Sequence, residues 1–190
     1  LFGANGEDTN FARFDMAEYH HPDAIRKFIG GGGEAPLLGR AIDKLNAAGG
    51  GILLLDEIEK ADPNLVRALL SFDAARITMS DGVTKDLSNI FVVLTSNLGS
   101  AAAARMRSAP YASIKRHILR TAETFFNPEV LARFSAKIVT NRLPYEVQRE
   151  IATGLTRKEI RLQSQYLQRE IVTEGEEVVR FLIRKGFTAE

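Results

Sequence analysis

Cysteine is absent from this 190-residue chain. That excludes disulfides and thiolate metal sites, and suits a reducing compartment such as the cytoplasm. Long apolar runs are also missing, since none approaches the roughly 18 residues that suggest a membrane span. No stretch shows the basic start, apolar run and small-residue cleavage site of a secretory signal. Charge of one sign is lacking too: 25 Lys and Arg face 24 Asp and Glu, a formal net charge of +1. Such balance gives no general attraction to nucleic acid or anionic lipid. His20, His21 and His117 have no cysteine or clustered carboxylates at ligand spacing, so a cage of protein ligands around a metal is not expected. What remains is an ordinary globular composition, 45% hydrophobic and 26% charged, long enough for one sizeable core and a small appended domain.

Against that background Ile52-Leu53-Leu54-Leu55-Asp56-Glu57 stands out. The aliphatic run predicts a strand buried on both faces, as in a helix-covered parallel sheet. Two carboxylates follow where that strand meets solvent, and ligands of open α/β sheets sit at the carboxyl ends of strands. A first acid there can hold Mg²⁺ through water while a second polarises an attacking water. The alternative is structural: an Asp that caps the next helix and a Glu in its first turn.

Around this segment the pattern alternates. A strand is predicted over Phe11–Asp15 and a helix through Pro22–Ile29, before a loop at Gly30–Gly33. Leu38, Ala41, Ile42 and Leu45 recur at helical spacing, and Gly49-Gly50-Gly51 hands that helix over to the strand with the acids. Asp62-Pro63 starts the next helix, with Leu65, Val66, Leu69 and Leu70 as its buried stripe. A turn is expected at Asp81-Gly82, a second fully buried strand over Ile90–Leu94, a helix capped by Ser113, and a fourth strand over Lys137–Thr140. Beyond Pro144 the texture becomes charged and helical, first from about Glu146 to Gln168, then near Glu176–Lys185 with Gly186 as its stop. The expected organisation is a large α/β domain over residues 1–143 and a small α-rich domain over 144–190.

This ordered series resembles the AAA+ ATPases, and most closely the second ATPase ring of the Clp/Hsp-type unfoldases. The resemblance rests on Asp15-Met16-Ala17-Glu18-Tyr19, Leu54-Leu55-Asp56-Glu57-Ile58-Glu59-Lys60-Ala61, Arg76-Ile77-Thr78 with Gly82 and Asp86, Leu94-Thr95-Ser96-Asn97-Leu98-Gly99-Ser100, and Phe126-Asn127-Pro128-Glu129. It implies a P-loop-type parallel sheet with helices on both faces, followed by a small helical lid. It implies ATP and Mg²⁺ as ligands, with Asp56 and Glu57 as the Walker B pair: Asp56 positions Mg²⁺ and Glu57 activates water on the γ-phosphate. Asn97 becomes sensor 1, whose uncharged amide can orient water without neutralising Glu57; the alternative is that Ser96-Asn97 begins a turn. Thr95 and Ser96 are read as satisfying backbone groups. Arg133 falls where this group carries its arginine finger, although Ala132 replaces the usual Asn; Arg142 is the weaker candidate. A finger acting on the neighbouring subunit implies a homo-oligomeric ring, a hexamer in this family, with a polypeptide client threaded through it.

The match also has gaps. No Gly-x-x-x-x-Gly-Lys-[Ser/Thr] string is present; in the family it lies upstream of the segment beginning Leu1-Phe2-Gly3. The family's sensor 2 follows the equivalent of Lys185-Gly186-Phe187. The chain thus reads as an excerpt of a larger protein, inactive by itself. The family's aromatic pore loop is replaced by Gly31-Gly32-Gly33-Glu34-Ala35-Pro36-Leu37, leaving Leu37, or core packing by it, and Arg76 of the second loop as pore candidates. Two rivals stay open: a non-catalytic AAA+ scaffold serving as a protein-interaction ring, and a nucleic-acid-directed AAA+ motor. The basic group Arg105, Arg107, Lys115, Arg116 and Arg120 reads as a solvated or subunit-facing surface.

Overall fold

The structure is a computed structural model that describes residues 10–31, 36–69, 75–106, 109–172 and 177–186. Gly32, Gly33, Leu70, Arg107 and the segment after Gly186 lie outside the described residues. The chain divides into two compact units, Leu1–Lys137 and Ile138–Glu190.

In the first unit the apolar runs form a parallel sheet. Strand β1 (Phe11–Asp15) pairs with β2 (Gly51–Asp56), and β2 with β5 (Ile90–Leu94). Parallel neighbours need crossover connections, and the intervening sequence supplies them. Helices α1 (Asp23–Ile29) and α2 (Leu37–Ala47) link β1 to β2. Helix α3 (Pro63–Leu69) and the antiparallel pair β3 (Arg76–Thr78) and β4 (Thr84–Asp86) lie between β2 and β5. Asp62 starts α3 as its sequence suggests, its Oδ1 accepting from the Asn64 amide at 2.8 Å. The Asp81-Gly82 turn closes the β3–β4 hairpin, whose Lys85 pairs with Asp43 of α2 at 2.7 Å.

The core gathers on one face of this sheet. Leu53 and Leu55 point into it with Leu38, Ile42 and Leu45 of α2, all fully buried. Phe28 of α1 meets Phe14 of β1 edge to face at 4.9 Å. Full burial of each such side chain contributes about 1.5–3 kcal/mol. Side chains alternate along a strand, so Phe91 and Val93 point the other way and are 66% and 41% exposed. Full burial of β5 on both faces, expected from its unbroken apolar run, is therefore not observed. Periodicity reports how apolar a strand is, not which of its faces its neighbours cover.

The glycine run before β2 has a steric cause. A Cβ on Gly51 would lie 2.2 Å from the Asn10 carbonyl oxygen and 2.8 Å from Leu45 Cδ2; on Gly50, at φ 118°, it would lie 2.3 Å from Asn89 O. Both neighbours are tied to the strand, since Ile52 N donates to Asn10 O and Gly51 N to Asn89 O. Gly51→Ala should cost about 1–3 kcal/mol of stability by overpacking, read as a lower urea midpoint at unchanged slope. An unchanged midpoint would show that β1 can yield at its start.

After β5 come α4 (Ser100–Arg105), α5 (Tyr111–Phe125) and α6 (Pro128–Arg133). Helix α5 begins earlier than its Ser113 suggested: Pro110, with φ −58° and ψ 145°, sets the entry, and its carbonyl accepts from Ser113 N and Ile114 N. The Ser113 position thus lies inside the first turn. Residues 137–140 do not form the expected fourth strand; they carry no strand pairing among the described residues, and Ile138 is 86% exposed. In the second unit, helices α7 (Tyr145–Leu167) and α8 (Glu177–Gly186) pack together, with Ala152 and Ile183 buried.

Candidate functional site

Parallel register builds the site. Asp15 of β1 sits opposite Asp56 of β2, and Leu55 opposite Leu94 of β5. One step beyond that last pair, Asp56 comes level with Thr95. Strands about 4.8 Å apart thus bring the acid doublet and the Thr95-Ser96-Asn97 segment to one sheet edge.

Asp56 accepts on both oxygens. Arg13 of β1 reaches Oδ2 through Nη2 at 2.5 Å and Nε at 3.1 Å, and the Thr95 hydroxyl donates to Oδ1. The Thr95 hydrogen bond, then the Arg13 guanidinium, hold this carboxyl below its ordinary range, so it stays ionised. Neither oxygen touches the start of the next helical turn, Ile58–Lys60, which has no side-chain cap. The reading of Asp56 as a helix cap is thereby excluded.

Glu57 leaves the strand in a left-handed conformation, φ 54° and ψ 51°. For a residue with a Cβ this costs roughly 1–2 kcal/mol, and such strain concentrates at functional sites. Its carboxylate is held at both ends: Oε1 accepts from Asn97 Nδ2 at 2.8 Å, and Oε2 from Lys60 Nζ at 2.6 Å. The hydrogen bond to Glu57 raises the Lys60 pKa above its ordinary value, with the Glu57, Asp15 and Glu59 charges adding to it. Glu59 accepts the Asn97 backbone amide at 3.0 Å through Oε1, while its Oε2 is buried with no hydrogen-bond partner among the described residues.

The structure therefore brings Asp56, Glu57 and Asn97 into one hydrogen-bonded cluster. Arg133 stands elsewhere, as the last residue of α6, a helix begun by Asn127 accepting from the Glu129 amide at 3.2 Å. Leu37 opens α2 half-buried against the core, and Arg76 is exposed at the base of the β3–β4 hairpin. Arg142 lies in the second unit, its amide donating to Asn141 Oδ1 at 2.8 Å.

Three contributors escaped the sequence reading. Arg13 is a charge inside the short strand Phe11–Asp15, a signal that an acid lies on the adjacent strand. Lys60 follows Glu57 at i+3, a spacing that pairs side chains on a helical turn. Thr95 does more than satisfy backbone groups, because its hydroxyl joins the Asp56 side chain to the Glu57 amide. Ser96 does serve the backbone, accepting from Leu98 N at 3.2 Å.

The donor set suits Mg²⁺, a hard cation that takes oxygen ligands and keeps several waters when held by one or two carboxylates beside a phosphate. Asp56 is an ionised oxygen donor: both lone-pair sites of Oδ2 are taken by Arg13, while Oδ1, which accepts only from Thr95, retains one. Among the described residues no group of three His, Cys, Asp or Glu could encage a metal unaided, and no helix is long and apolar enough to cross a membrane.

The family profile for the AAA domain (Cdc48 subfamily) matches residues 3–137. The chain is 31% identical to heat shock protein 100 of Trypanosoma brucei brucei, an alignment covering 78% of this chain and 18% of that protein. It is 29% identical to chaperone protein ClpB of Gloeobacter violaceus, covering 95% and 21%. Among solved structures, the S. cerevisiae Hsp104-ADP complex superposes with a TM-score of 0.66 at 28% identity, over 93% of this chain and 31% of that one. A closed-state Hsp104 assembly with ATPγS and FITC casein gives 0.66 at 29% identity, over 78% and 27%. The chain spans about a fifth of the length of the curated relatives it matches.

Proposed function

The chain belongs to the AAA domain family, Cdc48 subfamily, and on that premise we propose that it is part of an ATP-hydrolysing module that remodels other proteins, as a Clp-type unfoldase does. One observation carries the proposal: the Glu57 carboxylate is held by the Asn97 side-chain amide at 2.8 Å, next to an ionised Asp56.

In this reading Asp56 is the residue that would hold Mg²⁺. Bound Mg²⁺ supplies charge neutralisation on the phosphate oxygens. Glu57 accepts a proton from the water that attacks the γ-phosphorus as ADP departs, a task open to an acceptor-only carboxylate. Asn97 fixes the direction of that carboxylate by donating to Oε1, and being neutral it leaves the negative charge in place. Lys60 engages the opposite oxygen, so the carboxylate plane is set from two sides. Arg133 supplies positive charge to the active site of the adjacent subunit in a ring, six-membered by analogy with the family. Arg76 faces the client side of that ring; Leu37, half-buried in the core, is the weaker of the two pore candidates. The client is a polypeptide, in keeping with the casein in the Hsp104 assembly, and the compartment is the cytoplasm, which suits a chain without cysteine.

The test is ATP turnover by the full-length protein in Mg²⁺ buffer, alone and with unfolded casein or DNA. Turnover that rises with casein and not with DNA is expected. Stimulation by DNA alone would replace this reading with a nucleic-acid motor, and ring assembly without any hydrolysis would replace it with a scaffold.

A further inference from the structure

Thr95 binds four consecutive residues at the end of the neighbouring strand. Its amide donates to Leu55 O at 3.1 Å and its carbonyl accepts from Ile58 N at 3.1 Å. Between those two, its hydroxyl accepts from the Glu57 amide at 3.0 Å and donates to Asp56 Oδ1. A hydroxyl can donate and accept at once, which a methyl cannot. Its proton goes to the Asp56 carboxylate and a lone pair takes the Glu57 amide, so the two bonds strengthen each other.

The position of this hydroxyl bears on the shape of the doublet. A strand continued through Glu57 would send its side chain to the sheet face opposite Asp56. Glu57 instead turns left-handed, and its carboxylate reaches Asn97. The amide of that strained residue is the one the Thr95 hydroxyl holds.

We propose that Thr95 is the positioning residue of the acid doublet, its hydroxyl holding Glu57 in the left-handed turn that delivers the carboxylate to Asn97 while orienting Asp56. The catalytic consequence rests on the reading of Glu57 as the water-activating base; the hold on the backbone does not.

The experiment compares Thr95→Val, Thr95→Ser and Glu57→Gln with the parent in the full-length protein. Amide hydrogen exchange without nucleotide should be faster across residues 56–58 in T95V and close to parental in T95S. Affinity for a fluorescent ATP analogue should stay within about twofold in T95V, while kcat falls roughly ten- to hundredfold at little change in KM, as misplacement of a reacting group predicts. T95S should recover most of that loss. Should T95V fail to assemble, T95A takes its place with the same expectations. Parental exchange in T95V would overturn the proposal, as would parental kcat, or loss of turnover that T95S does not rescue. If E57Q turns over ATP normally, the base assignment falls while the exchange result still judges the hold of Thr95 on the turn.

Discussion

Glu57→Gln is expected to lower ATP turnover in the full-length protein by roughly 10²- to 10⁴-fold, the usual contribution of a positioned general base, while nucleotide binding persists. Gln matches Glu in size, and its amide oxygen can still accept from Asn97 Nδ2. The substitution removes basicity, and it also sets an amide nitrogen where Oε2 now meets Lys60 at 2.6 Å, so that the ion pair is lost. Asp56, Thr95 and Arg13 are untouched: Arg13 and the Thr95 hydroxyl donate to the Asp56 carboxylate, and Thr95 meets Glu57 at its backbone amide, not its carboxylate. Hydrolysis should therefore fail with Asp56, the acid proposed to hold Mg²⁺, still oriented. Steady-state phosphate release beside a binding titration with a fluorescent ATP analogue separates the two. Parental turnover in E57Q would take the base role from Glu57; lost binding with lost turnover would make the residue architectural.

The strands that carry the site were legible because their composition is extreme. Ile52–Leu55 and Ile90–Leu94 are unbroken aliphatic and aromatic runs, and the residues after them are polar and chemically suited to a phosphate site. That Asp56 lies level with Thr95 was not legible, since pairing between residues 39 apart depends on parallel register, set by packing along the whole sheet. The same dependence hid Arg13, whose partner is 43 residues away in sequence. Lys60 stood at a legible i+3 spacing from Glu57, whereas the left-handed turn of Glu57 was not legible, because no propensity scale predicts a strained Glu. The misplaced start of α5 follows the same logic at short range. Ser113 is a good cap by composition, but Pro110 fixes the chain's entry three residues earlier. Residues 137–140 read as strand from their composition, yet strand structure also requires an edge to pair with, which local sequence does not supply.

Arg133→Ala should reduce turnover on the order of 10³-fold or more, the range for loss of an arginine finger, with nucleotide binding by each subunit kept. Arg133 closes α6, where the negative end of a helix favours a cation, and Asn127 and Pro128 fix the start of that short helix, so the side chain projects from a defined element. Its element, α6, is separate in sequence from the strand ends that carry Asp56, Glu57 and Asn97, as suits a residue serving the next subunit's site. Lysine is a poor substitute, because a compact ammonium does not reproduce the planar fork that bridges phosphate oxygens; Arg133→Lys should stay well below parental turnover. Mixing separates action between subunits from action within one. R133A keeps its own Glu57, and E57Q keeps its own Arg133, so neither homogeneous ring turns over. In mixed rings, each R133A subunit that receives the arginine of an E57Q neighbour regains a complete site. Partial recovery on mixing two inactive proteins is the expected result, rising and falling with their ratio. No recovery, with mixed rings shown to form, would confine Arg133 to its own subunit and remove the chemical reason for a ring.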